Sequence, residues 1–165
     1  MFSWGSINQE EEIIEDRIDF SSYHVTLLLS LNPREVTPCI FDIRIGSNTQ
    51  WDFLDFIMEC IESGNLERDD ILLLDNAAVH WGQETRGIFT ELMLLAGVRV
   101  LFQPKYSPEW NPCELVFAEL KNKLKRFKDN WSPFWLEIIK VLLGVSMENV
   151  FSYYLHCFNV ENKTF

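Results

Sequence analysis

ILLLDNAAVH, residues 71–80, and YSPEWNPCELVFAELK, residues 106–121, hold the two carboxylates around which this chain is organised. The first fragment opens with a short continuous apolar run and stops at Asp75. Such a run suits a strand buried on both faces of a parallel sheet. In the second, Asn111-Pro112 breaks the chain just before an apolar pattern at helical spacing. Proline fits the first turn of a helix, so Glu114 is expected about one turn in. Thirty-eight residues separate the acids. That gap accommodates a helix from about Gln83 to Ala96, stopped at Gly97, and a second short strand, Val98 to Phe102.

Working outward, Tyr23 to Leu31 (YHVTLLLSL) reads as a buried strand and Val36 to Ile45 as a half-buried one. In the latter, Cys39, Phe41, Ile43 and Ile45 share one face, with Asp42 and Arg44 on the other. The short link between them predicts an antiparallel hairpin. Thr49 to Gly64 reads as a helix with Thr49 as N-cap, Asp52 three residues on, and Gly64 at the stop. Strand, helix, strand, helix over residues 70–128 implies parallel pairing through crossover helices. Adjacent parallel strands would then deliver Asp75 and Glu114 to one edge of the sheet, where reactive groups of open α/β sheets collect. Ser132-Pro133 predicts a further helix to about Gly144, and a last one starts near Ser146. Residues 1–22 form an acidic segment in which a weak strand is expected around Ile13 to Phe20. The core is expected over 23–130, and C-terminal helices over 131–165.

Composition narrows the function. The chain has 165 residues, 47 % hydrophobic, with 13 Phe and 6 Trp, enough for one packed domain. Its formal charge of −11 argues against coating nucleic acid by bulk electrostatics. The total conceals a basic cluster, Lys121, Lys123, Lys125, Arg126 and Lys128, which with Lys105 is suited to hold nucleic-acid phosphates; a solvated helix face is the plainer alternative. Cys39, Cys60, Cys113 and Cys157 form no CxxC pair, so a zinc ribbon is not expected. They read as small buried hydrophobes in a reducing, intracellular compartment. No run reaches the roughly 18 apolar residues of a membrane span. Carboxylates brought together repel, and a divalent cation relieves this; hard oxygen ligands point to Mg2+ or Mn2+.

LLLDNAAVH followed by FQPKYSPEWNPCELVFAELK resembles the catalytic core of mariner-like transposases, DDE-superfamily endonucleases with an RNase H-like fold. The upstream FDIRIGSNTQWDFLDFI is similar to that family's second hairpin strand and following helix. The resemblance spans roughly residues 23–128. It implies an RNase H-like mixed α/β sheet flanked by helices, with Asp75 and Glu114 as the second and third catalytic, metal-binding acids. It further implies Mg2+ or Mn2+ as cofactor, DNA as partner with a homodimer left open, and DNA cleavage with strand transfer as activity. Nuclear residence follows if the source is eukaryotic, cytoplasmic residence otherwise. Asn76 and His80 would orient water or phosphate, or else serve as a loop residue and a cap. The sequence departs from the family at its start. The first catalytic Asp, typically in a DES- or DEM-like segment on the first strand, has no counterpart except Asp16 or Asp19. The sheet is therefore expected to be incomplete at its N-terminal side. A truncated or inactive enzyme, or a non-catalytic module binding DNA or protein, is the alternative reading.

Overall fold

A computed structural model of the chain describes residues 2–6, 14–15, 22–32, 37–75, 82–105, 107–126 and 132–158. The elements are β1 (Phe2–Ser6), β2 (Ile14–Glu15), β3 (Ser22–Ser30), β4 (Cys39–Ile45), α1 (Gln50–Glu62), β5 (Ile71–Leu74), α2 (Arg86–Ala96) and β6 (Arg99–Phe102). A 3-10 turn (Pro108–Trp110), α3 (Pro112–Arg126), α4 (Phe134–Leu143) and α5 (Met147–Phe158) follow.

β3 and β4 form the expected antiparallel hairpin, in register from Tyr23 opposite Ile45 to Leu29 opposite Cys39. β5 and β6 pair in parallel, Leu74 opposite Phe102, as the intervening α2 crossover requires. Between the two pairs lies β1, antiparallel to β3 and parallel to β5. The strand expected to be missing is thus present, at the centre of the sheet. FSWGS carries two serines and a glycine and has no strand pattern of its own. Its conformation comes from pairing on both edges rather than from propensity. Ile14–Glu15, within the strand expected between Ile13 and Phe20, pairs with the Ser22–Tyr23 end of β3; the rest of that stretch lies outside the described residues. Asp16 and Asp19 lie outside the described residues.

The sheet is covered on both faces, and β3 shows why its sequence is apolar at consecutive positions. Leu27 and Leu29 pack with Val116, Leu120, Ile138, Leu142 and Val150 of α3, α4 and α5. Leu28 points the other way, into a core of Phe53, Ile57, Phe89 and Met93 from α1 and α2, with Leu72 and Leu74 of β5. A strand buried on both faces loses the polar alternation of a half-buried one.

Helix ends largely follow the sequence signals. Thr49 and Asp52 make the reciprocal capping box, with the Thr49 amide donating to Asp52 Oδ2 at 2.8 Å. Gly97 closes α2 at φ 74°, a conformation glycine adopts without a Cβ penalty. α2 itself begins three residues later than expected, at Arg86. For α4 the structure puts Pro133, not Ser132, at the N-cap, and no side chain caps it. α5 is capped by Ser146, whose Oγ accepts the Asn149 amide at 3.2 Å. All four cysteines are buried and none forms a disulfide, and burial pushes the Cys39 thiol up to about 12.

α5 is tied to α3 by the Tyr153 hydroxyl, which donates to the Glu119 carboxylate. Lys123 and then Tyr153 hold the Glu119 carboxyl below its usual range by hydrogen bonding to the charged form. A depressed carboxylate stabilises the fold above its unfolded pKa, about 4.3, and that contribution disappears as pH falls through the folded value. Tyr153→Phe is therefore expected to lower stability at pH 7, with the deficit shrinking below about pH 4. Urea denaturation of both proteins across pH 3–8 measures it.

Candidate functional site

β5 ends at Leu74, so Asp75 is the first residue beyond the carboxyl end of a strand lying between β1 and β6. It is half-buried. Glu114 is half-buried in the first turn of α3. That turn also places its carboxylate where the helix N-terminus is electropositive.

A relay of hydrogen bonds connects the two acid-bearing segments. The Gln103 amide donates to the Leu74 carbonyl at 2.7 Å, continuing the ladder one step past β6 and fixing the backbone just before Asp75. The Gln103 side chain, in a residue 7 % exposed, donates to the Trp110 carbonyl at 3.4 Å. Trp110 belongs to the 3-10 turn, whose indole meets the Phe158 ring edge-on at 5.8 Å between centroids. Asn111 then caps α3: its Oδ1 accepts the Cys113 amide at 3.0 Å, and its carbonyl accepts the Glu114 amide at 3.1 Å. From the strand end at Asp75 to the helix start at Glu114, one continuous set of bonds sets position.

Gln103 was not singled out in the sequence. A polar residue between a strand end and Pro104 is a weak signal, meaningful only with the Trp110 carbonyl opposite it. Gln103→Leu is expected to cost about 1 kcal/mol, lowering Tm by roughly 2–4 °C in a thermal melt, because it removes the side-chain hydrogen bond to that carbonyl.

The structure divides the basic cluster. Lys123 is committed to Glu119 one helical turn away. At about 100° per residue, Lys121 and Lys125 fall within about 20° of Glu114 around α3, on one stripe, whereas Arg126 is turned well away. Lys125 and Arg126 are exposed and Lys121 is half-buried. Along the axis the stripe carries charge about 10 to 16 Å from Glu114, so the cluster continues from the acids rather than surrounding them. Lys105 is exposed two residues after Gln103, at the same end of the sheet as Asp75. Asn76, His80, Tyr106 and Lys128 lie outside the described residues.

Were a divalent cation bound here, Asp75 and Glu114 are the carboxylates that these two segments would offer it. Among the described residues no group of three or more His, Cys, Asp or Glu side chains is gathered to hold an ion. Two carboxylates completed by water and substrate phosphate suit one hard divalent cation such as Mg2+ or Mn2+.

The family model of the DDE superfamily endonucleases matches residues 2–132. The chain belongs to that family. The match begins at the first residue of β1, so the central strand is part of the family domain. Among solved structures, this DDE-superfamily chain is similar to the catalytic core domain of BIV integrase, with a TM-score of 0.51 at 11 % identity over 97 % of this chain and 98 % of that one. The likeness places the fold as RNase H-like. No curated protein matches the chain. Among the described residues no helix is long and apolar enough to cross a membrane.

Proposed function

We propose that this DDE-superfamily domain is a mariner-like transposase catalytic domain that binds DNA across the carboxyl end of its sheet and cuts phosphodiester bonds there. The observation that carries the reading is the Leu74–Gln103–Trp110 relay, which joins the strand end before Asp75 to the turn before Glu114. A Mg2+ or Mn2+ ion held by the two carboxylates would supply the positive charge that a phosphodiester transition state needs. The remaining work falls to the chain. Asp75 and Glu114 are held by backbone that is itself hydrogen-bonded, so little reorganisation is needed when substrate arrives. Lys105, Lys121 and Lys125 offer phosphate contacts leading away from the acids, and such contacts position DNA without reading sequence. An acidic chain with a short basic track fits local docking better than non-specific coating. In a eukaryotic source the domain would act in the nucleus.

Incubating the protein with Mn2+ and transposon-end DNA, beside Asp75→Ala, tests the chemistry. Nicking by the parent and not by the variant supports the assignment; nicking by both refutes it.

A second reading is a non-catalytic, transposase-derived module that binds DNA or a protein. The absence of any carboxylate from the β1 sequence, FSWGS, favours it. Under both DNA-binding readings the stripe makes a distinct prediction. Lys125→Ala should reduce the slope of log K against log salt by about 1, while Lys123→Ala, already paired with Glu119, leaves it unchanged. Fluorescence anisotropy with labelled duplex between 50 and about 200 mM salt reads the slopes.

A further inference from the structure

α1 and α2 lie side by side on the face of the sheet away from α3, and each carries apolar residues beyond those it buries. Two hydrogen bonds mark the flanks that face one another. Gln50 Nε2 donates to Glu84 Oε2 at 2.9 Å, and the Thr85 hydroxyl donates to Gln50 Oε1 at 3.2 Å. Residues three and four apart share a helix flank. The flank of Thr85 therefore continues along α2 through Ile88, Leu92 and Leu95, and that of Gln50 along α1 through Leu54 and Met58. Leu54 and Leu92 pack into the core below. Above them Met58, Ile88 and Leu95 are exposed, Leu95 to 77 %, and Trp51, which shares its flank with Leu54 and Met58, is 47 % exposed. The result is an apolar groove floored by core side chains and about 20 Å long, the length of the 13 residues of α1.

Charge decides what fits it. Asp55 and Glu62, on either side of Met58, are exposed along the α1 rim, and Glu91, between Ile88 and Leu95, is exposed along the α2 rim. α1 has no lysine or arginine, and the one in α2, Arg86, is turned about 160° from Ile88. An exposed apolar patch with a polar rim marks an interaction surface. Here the rim is acidic, which repels nucleic acid and, at a net charge of −11, a second copy of this chain. Two adjacent helices leave a channel suited to a third, whose anchors recur at i, i+3, i+4 and i+7. We propose that the α1–α2 groove docks an amphipathic helix of another protein, one whose apolar seam is flanked by lysine or arginine. The groove lies on the opposite face of the sheet from α3 and its lysines, so it stands whether or not the domain cuts DNA.

The probe is a fluorescein-labelled amphipathic peptide of about 15 residues, leucine along the seam and lysine elsewhere, long enough to form a helix on the groove. A peptide with glutamate in place of lysine and a scrambled peptide of the same composition are the references. Fluorescence anisotropy with the full chain is expected to show saturable binding of the lysine peptide, about tenfold or more tighter than either reference. Leu95→Gln on α2 and Met58→Gln on α1 should each weaken it about tenfold, the loss of one buried apolar anchor. Leu94→Gln, equally exposed but on the outer side of α2, leaves it unchanged. Neutralising the rim with Asp55→Asn and Glu91→Gln should lower the affinity and flatten its dependence on salt. No binding, equal binding of the glutamate peptide, or equal losses at Leu94 and Leu95 would overturn the proposal. So would sedimentation showing a dimer of the chain that Leu95→Gln disperses, because the groove would then be an interface between copies.

Discussion

Leu120→Ala is expected to destabilise the domain by about 3 kcal/mol, within the 2–5 kcal/mol seen when a large buried aliphatic side chain is cut back to a methyl. Leu120 is fully buried in the core that joins α3 to β3, α4 and α5. It lies two turns along α3 from Cys113, also fully buried in that core. Removing three carbons there leaves a cavity with helices on one side and the sheet on the other, neither of which can easily close it. The loss should appear as a lower midpoint of urea unfolding with an unchanged m-value. Leu94→Ala, at a position 78 % exposed on α2, is the control and should stay within about 0.5 kcal/mol of the parent. Equal losses at the two positions would contradict the packing described for α3.

Asn111→Ala is expected to act on both stability and the site. Asn111 is 2 % exposed, and its side chain is the acceptor for the Cys113 amide at the start of α3. Loss of an N-cap costs about 1–2 kcal/mol, and burial of the abandoned amide keeps water from replacing the acceptor, so a value near 2 kcal/mol is expected. The same residue fixes the turn that carries Glu114, through its carbonyl and the Glu114 amide. Mn2+ affinity should therefore fall by about tenfold, as it does when residues supporting metal ligands are removed. Asn111→Ser keeps an acceptor at the cap and should recover most of both losses. Calorimetric Mn2+ titration and thermal melts of the three proteins provide the comparison. Full Mn2+ affinity in a destabilised Asn111→Ala would mean that the cap holds the helix without aiming the carboxylate.

Most of the architecture was legible because its elements carry strong local signals. The Thr49–Asp52 capping box, the glycine stop at Gly97, the alternation through β4 and the apolar run of β5 are each set by side chains within a few residues. The positions of the two acids at element boundaries were legible for the same reason. Asp75 ends an apolar run and Glu114 follows an Asn-Pro break, and both signals are local. β1 was not legible, because a central strand can draw its conformation entirely from its neighbours. The division of the basic cluster was also hidden. It depends on which lysine meets Glu119, and Glu119 is in turn held by Tyr153 from α5, a helix whose packing on α3 is a long-range contact.

What these residues settle unaided is the run of strands and helices, the two acids at element boundaries, and the motifs that place the chain among DDE-superfamily endonucleases. Hydrophobic periodicity and capping chemistry act over a few residues, and a sequence displays them directly. The tertiary structure decided that FSWGS is the middle strand, with Gly5 opposite Leu74, and that Gln103 links the two acid-bearing segments. Each of these is a relation between segments distant along the chain, created by strand register and backbone hydrogen bonding, and neither partner carries a mark of it alone.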